Sequence, residues 1–286
     1  MNPKLKILTA MATFGTIGIF VKYIPLPAAQ IAFFRALIAA LVLGGYNLAG
    51  GKKIAFKEIR EELFLLFLSG AAMGFNWIFL FEAYNHTTVS LATLSYYFAP
   101  VIVTIASSFL FKERLTPKQI ICFVMSTLGL VLIIGVGGES MPEGQLKGIT
   151  FGLAAAALYA TVILLNKSIK NIGGIDRTLL QFVASLVVMT PYVLLTGGLS
   201  LQAAGMMGIG SLLILGVVHT GITYVLYFTS LKDLRGQEVA ILSYLDPLVA
   251  VVLSLVILKE GILPNQILGG LLILGFTLLN EIKSLR

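Results

Sequence analysis

The sequence predicts an all-α integral membrane protein: ten transmembrane helices, arranged as two five-helix inverted-topology repeats. Three observations carry that reading. Only 12% of the 286 residues are charged while 58% are hydrophobic, against roughly 25% charged in ordinary soluble domains. The apolar residues fall in runs of about 20, the length that crosses a ~30 Å hydrocarbon layer. A stretch near the end of the first half of the chain also recurs, without a gap, near the end of the second. Helices rather than a barrel follow because a spanning segment must satisfy its own backbone in lipid, and the polar alternation of a membrane strand is missing.

In chain order the expected spans are 5–22, 28–47, 63–84, 89–111, 118–136, 147–166, 177–196, 209–230, 237–258 and 264–282. The first follows the basic start MNPKLK, which resembles a signal peptide, but no convincing small-residue cleavage site follows it. Short polar breaks such as GGKKIAFKEIREE, KERLTPK and LKEG separate the runs. No connection exceeds about fifteen residues, so none of them has room for a soluble catalytic module. The single cysteine, Cys122, lies within a span and leaves no internal disulfide to form.

A formal net charge of +7 raises the question of nucleic acid, and the placement of the charges answers it. With the N-terminus in the cytoplasm, sixteen basic residues fall on the inner side: Lys4, Lys6, Lys52, Lys53, Lys57, Arg60, Lys112, Arg114, Lys118, Lys167, Lys170, Arg177, Lys232, Arg235, Lys283 and Arg286. The outer side holds Lys22, Lys147 and Lys259. The positive-inside rule therefore predicts a multi-pass plasma-membrane (inner-membrane) protein with both termini cytoplasmic. The basic charge is a topology signal, and no nucleic-acid partner is expected.

The internal repeat sets the architecture. YFAPVIVTIASSFLFKERLTPKQI (97–120) aligns with YLDPLVAVVLSLVILKEGILPNQI (244–267) at an offset of 147. Tyr97 matches Tyr244, Pro100 matches Pro247, Ser107 matches Ser254, Lys112-Glu113 matches Lys259-Glu260, and Gln119 matches Gln266. The expected units are 1–136 and 137–286. Five spans per unit is odd, so the second copy enters the membrane upside down, the architecture of secondary transporters that work by alternating access.

Three further stretches carry a family resemblance: FFRALIAALVL after PLP, AYNHTTVSLATLSYYFAP, and FLFKERLTPKQIICFVMSTLGLVLI. Together with both repeats they resemble the EamA-type proteins of the drug/metabolite transporter superfamily, over essentially the whole chain. The resemblance implies a ten-helix exporter whose central cavity is lined mainly by spans 1–4 and 6–9, with spans 5 and 10 at the periphery. It does not select among substrates, since that family moves amino acids, sugars, nucleosides and drugs.

Charges inside spans are the first candidates for function, because one near the bilayer centre costs about 2.5–3.5 kcal/mol on insertion scales. Arg35, Glu82 and Asp246 qualify. Asp246 lies near mid-span and shares a helical face with Ser243, Ala250 and Ser254. It is read as a proton-titrating carboxylate or an ammonium partner, against a structural role capping the proline kink or pairing with Arg35. Arg35 suits a substrate carboxylate, against packing and ion pairing. Glu82 is an outer proton acceptor or gate, against an interfacial charge. His219 begins a stripe continuing through Thr223, Tyr227 and Ser230, expected to line the cavity, with a hydrogen-bonded packing histidine as the alternative. Trp77, Tyr96, Tyr97, Tyr159, Tyr224 and Tyr244 lie away from the expected interfaces and suit stacking or cation–π contact, against core packing, and Asn76 beside Trp77 adds a buried amide. Pro100 and Pro247 are expected hinges, each breaking the bond to the carbonyl four residues earlier.

No cofactor or metal is expected. GYNLAGGKK fails the spacing of a phosphate-binding loop, and HExxH, GxSG and paired-aspartate signatures are missing. The expected function is a proton-coupled or facilitative exporter of small amphiphilic metabolites, amino acids first, acting as a monomer or homodimer. An exporter of cationic drugs or amines is the alternative, and an intramembrane enzyme a distant one.

Overall fold

The computed structural model describes residues 2–50, 56–110, 115–135, 144–231, 233–234 and 236–282. Lys52, Lys53, Lys112, Glu113, Arg114, Lys232, Arg235, Lys283 and Arg286 lie outside them, as do the final residues of the expected spans 89–111 and 118–136. The chain runs α1 (Pro3–Gly15), α2 (Ile17–Lys22), α3 (Ala28–Ala49), α4 (Phe56–His86), α5 (Val89–Tyr96), α6 (Ala99–Leu110), α7 (Pro117–Ile134), α8 (Gln145–Ser168) and α9 (Gly174–Thr196). A short 3₁₀ turn then leads into α10 (Gly205–Ile214), a π-helical segment (Leu215–Ile222), α11 (Thr223–Leu231), α12 (Gly236–Ser243), α13 (Leu245–Val256) and α14 (Pro264–Glu281). No strand occurs among the described residues.

Eight helices among the described residues are long and apolar enough to cross a bilayer. The two other expected spans, 237–258 and 264–282, fall on a shorter apolar helix, Ile241–Val256, and on α14. The ends of α14 carry Asn265, Gln266, Asn280 and Glu281, which dilute its apolar middle.

Several expected spans are not continuous helices. The first breaks at Thr16, whose amide bonds back three residues to Thr13. The fourth breaks at Tyr97 and the ninth at Tyr244, each just before its proline. Proline explains both breaks: Pro100 and Pro247 lack the amide that would continue the ladder, and each ring collides with the carbonyl of the residue four earlier. The two breaks share one backbone, with φ and ψ of −70° and 5° at Tyr97 and −71° and −6° at Tyr244.

Local structure recurs further along the aligned stretches. Pro117 and Pro264 each open a helix, where a missing amide costs nothing. Gln119 then reaches back to the amide of Thr116 at 2.8 Å, and Gln266 to that of Leu263 at 2.9 Å. The α7 and α14 helices that begin this way pack against each other.

The rest of the bundle surrounds α4, which lies against α8 and α9, while α3 packs on α9 and on the π segment. The side chains of His219 and Thr220 within that segment, and of Thr223 just after it, bond to carbonyls five residues earlier, at 3.2, 2.9 and 2.7 Å. α1 lies across α11 and α13, so the breaks in the first and ninth spans sit close together.

Candidate functional site

The breaks at Tyr97 and Tyr244 border a cavity of about 450 Å³ in the interior of the bundle. It reaches from Gly15, Arg35 and Leu80 to Ile163, Val239 and Glu281, so it extends toward the end of the bundle where α14 finishes and α12 starts. That is also the termini end, since Lys4 pairs with Glu238 of α12 at 2.8 Å. Broken backbone is tolerated at membrane depth only where it lines such a space or is buried in protein.

Asp246 sits in the first turn of α13 on the cavity wall. Its Oδ2 accepts the Tyr97 hydroxyl at 2.7 Å, linking the two broken helices. Ala99 stands at the position matching Asp246 and offers Tyr244 no such acceptor. Among the described residues Asp246 forms no ion pair with Arg35.

Arg35 is only 3% exposed and faces the same cavity. Its guanidinium carbon lies 4.3 Å from the centroid of Trp77 and 5.6 Å from that of Phe81. Its Nε donates to Thr220 Oγ1 at 2.7 Å, and the Thr220 hydroxyl donates in turn to Leu215. The π segment thus fixes the orientation of the arginine. A guanidinium held on aromatic faces, with neutral protein partners, keeps its full charge for an anionic group.

Aromatic rings form most of the remaining wall. Tyr96 packs at 5.4 Å on Tyr159 and 6.2 Å on Tyr97, and Tyr97 at 6.3 Å on Tyr244. Tyr224 meets Phe14 at 5.4 Å, while Tyr227 and Ser243 line the cavity further toward its mouth. Asn76 also lines it, with its amide donated to the Ala155 carbonyl at 2.6 Å. Pro100 borders the space, whereas Pro247 is buried beside it.

His219, Thr223 and Glu82 are not brought to the cavity. His219 is 2% exposed, with Nδ1 3.2 Å from the Ile214 carbonyl and Nε2 2.6 Å from the Thr16 hydroxyl oxygen. Phe20 packs on the ring at 4.8 Å. Thr223 and Ser230 spend their hydroxyls on their own helix, at Val218 and Tyr227. Of the expected stripe, Tyr227 lines the cavity, and the π turn, which carries more residues than an α turn, changes the register between His219 and Tyr227. Glu82 lies near the end of α4, half-buried, 3.8 Å from His86.

Three polar cavity residues, Tyr84, Thr93 and Glu281, were not among the sites expected from the sequence. Glu281 resembles an interfacial charge at a helix end, yet it lines the cavity mouth. Tyr84 is buried and lines the same wall. Of the helices expected around the cavity, α9 supplies none of the lining; its Phe182 supports Trp77 from behind at 5.3 Å. α7 lines none of it and α14 contributes Glu281.

A multi-pass helical bundle with a cavity between interrupted helices is the general form of a membrane transporter. Residues 4–135 and 146–281 each match the model of the EamA-like transporter family. The chain belongs to that family. It is 33% identical over 253 residues to a protein named as an uncharacterized transporter, YxxF, of Bacillus subtilis (strain 168), covering 88% of this chain and 80% of that one. An uncharacterized transporter of Archaeoglobus fulgidus is 28% identical over 273 residues, covering 93% and 91%. Protein PecM of Dickeya dadantii is 26% identical over 231 residues, covering 78% and 75%. A crystal structure superposes with a TM-score of 0.66 over 97% of both chains at 18% identity, a likeness of fold alone.

Proposed function

We propose that this protein is a secondary active transporter that exports small amphiphilic metabolites by alternating access, with zwitterions such as amino acids as its first substrates. In this reading ten helices form two inverted five-helix units, 1–136 and 137–286, with both termini cytoplasmic. The matched breaks at Tyr97 and Tyr244, and the matched starts of α7 and α14, support the duplication. Pro100 and Pro247 are its hinges.

The observation that carries the substrate reading is a single cavity holding Arg35 and Asp246 with no ion pair between them. Two opposite charges kept apart in a space of about 450 Å³ offer a substrate carboxylate and a substrate ammonium each its own partner. The tyrosines between them pack against an apolar body. Asp246 also serves as the proton-coupling group, since it is a carboxylate on the cavity wall held by the neutral Tyr97 hydroxyl.

Proteoliposome uptake driven by a pH gradient tests this. Asp246→Asn should remove the gradient dependence while counterflow exchange persists. Unchanged coupling in a folded variant sinks the role. A second reading, export of cationic amines, is favoured by Glu281 at the cavity mouth, which adds a second carboxylate. Competition by amines that lack a carboxylate, undiminished in Arg35→Gln, would select it.

A further inference from the structure

We propose that Glu260 is the gate residue at the end of the pathway away from the termini. Its carboxylate clamps the first half of the chain to the second there and must let go before the cavity opens on that side. The inference rests on the alternating-access reading above.

Glu260 lies in the loop between α13 and α14 and gathers contacts from three directions. Its Oε2 accepts the Val89 amide at 2.8 Å and the Ser254 hydroxyl at 2.5 Å. Its Oε1 is 3.3 Å from Lys22 Nζ. The Ser254 hydroxyl, while donating to Glu260, accepts the Ser90 amide at 3.3 Å. Lys22 also reaches the Thr87 carbonyl at 3.5 Å. The end of α2 and the start of α5 are thereby tied to α13 and its following loop.

The chemistry of the clamp is specific to a carboxylate. Val89 and Ser90 are the first residues of α5, whose amides have no partner within the helix. Thr88 caps Leu91 at 3.2 Å, and Glu260 with Ser254 takes the two amides before it. A negative charge there also meets the positive end of the helix dipole. The loop adopts a strained turn to deliver it: Lys259 has φ of 53°, the left-handed region that side chains other than glycine seldom enter.

The clamp sits beside two close helix contacts. Gly18 of α2 lies so close to Val89 that a Cβ would meet Val89 Cγ1 at 2.4 Å. One turn earlier, a Cβ on Gly15 would meet the Asp246 carbonyl oxygen at 2.6 Å. These contacts close α1 and α2 onto α5 and α13 between Glu260 and the cavity, whereas the cavity runs the other way, to Glu281. Lys22 and Glu260 are 30% and 15% exposed as side chains, so water stands ready to receive both when they part.

The labelling arm of the experiment needs no known substrate, and the exchange arm reads counterflow of the amino acids proposed above. In a Cys122→Ser background, Ala250→Cys places one thiol on the cavity wall, and a membrane-impermeant thiol reagent is applied from the face opposite the termini. Glu260→Gln and Lys22→Gln should each raise labelling from that face by about tenfold, the effect of one charge-assisted hydrogen bond on a two-state equilibrium. The double variant should label no faster than the single ones. Separately, Lys22→Cys with Glu260→Cys, bridged by a short bis-thiosulfonate, should hold that face closed to the reagent and stop exchange until the bridge is reduced. Labelling of folded Glu260→Gln at the parent rate overturns the proposal, as does full exchange by the bridged protein; if Glu260→Gln does not fold, the bridged variant decides alone. A chain that gates in the labelling assay yet exchanges no solute would instead overturn the transport reading.

Discussion

Gly15 gives the sharpest stability prediction, because its nearest neighbours are the Asp246 carbonyl oxygen and the branch-point Cβ of Val249, neither of which can swing aside. In Gly15→Ala the new Cβ would lie 2.6 Å from the Asp246 carbonyl oxygen and 2.6 Å from Val249 Cβ, where ordinary contact begins at 3.4 Å. α1 must therefore back away from α13 by about 0.8 Å, the difference between those distances. Overpacking of this kind costs about 1–3 kcal/mol, partly offset by the ~0.5–1 kcal/mol that alanine gains over glycine in a helix. Gly44 is the control, since a Cβ there meets nothing within 4 Å; Gly44→Ala should keep the helical gain alone. The two variants should therefore melt on opposite sides of the parent, separated by about 3–8 °C for a chain of this size. Thermal unfolding followed by size-exclusion in one detergent reads the difference. A Gly15→Ala protein that melts at or above Gly44→Ala would refute the close contact on which the seal depends.

Other variants address the charges and caps. Arg35→Lys should weaken substrate binding by about tenfold or more, because a lysine keeps the charge but loses the planar stacking on Trp77 and the fixed Nε–Thr220 bond; equilibrium competition measures it. His219→Gln should leave substrate affinity within about twofold while lowering stability by about 1–2 kcal/mol, since the ring bonds Thr16 and Ile214 away from the cavity. A large loss of affinity in a stable His219→Gln protein would place it in the pathway after all. Thr116→Ala should cost about 1 kcal/mol by removing the cap at the start of α7, leaving Gln119 one-sided; a melting curve checks it.

Much of this was written locally. A chain with 12% charged residues and repeated apolar runs has little choice but lipid. The breaks at Tyr97 and Tyr244 were legible because Pro100 and Pro247 each remove a particular amide, whereas the break at Thr16 has no proline beside it. The helix starts at Pro117 and Pro264 follow from the same missing amide, placed where no bond is lost. The 147-residue offset announced that these features come in pairs.

Which side chains share a space was decided by tertiary structure. In a membrane helix the lipid-facing and protein-facing sides are both apolar, so periodicity loses its power to tell inside from outside. The stripe through His219 was drawn on a 3.6-residue turn, and the π segment alters that register. Asp246 was recognisable as costly, but its partner Tyr97 lies 149 residues away. Arg35 was recognisable as a charge within a span, yet only the packing of α3 against α4 and the π segment supplies its Trp77 face and Thr220 tether. Glu260 looked like an ordinary loop charge, since nothing in LKEG says that the amide of Val89 waits 171 residues earlier. Composition thus determined the membrane class, and proline the breaks at Tyr97 and Tyr244. The joining of Asp246 to Tyr97, Arg35 to Trp77 and Glu260 to α5 came only with the fold, because these bonds join helices far apart in the chain.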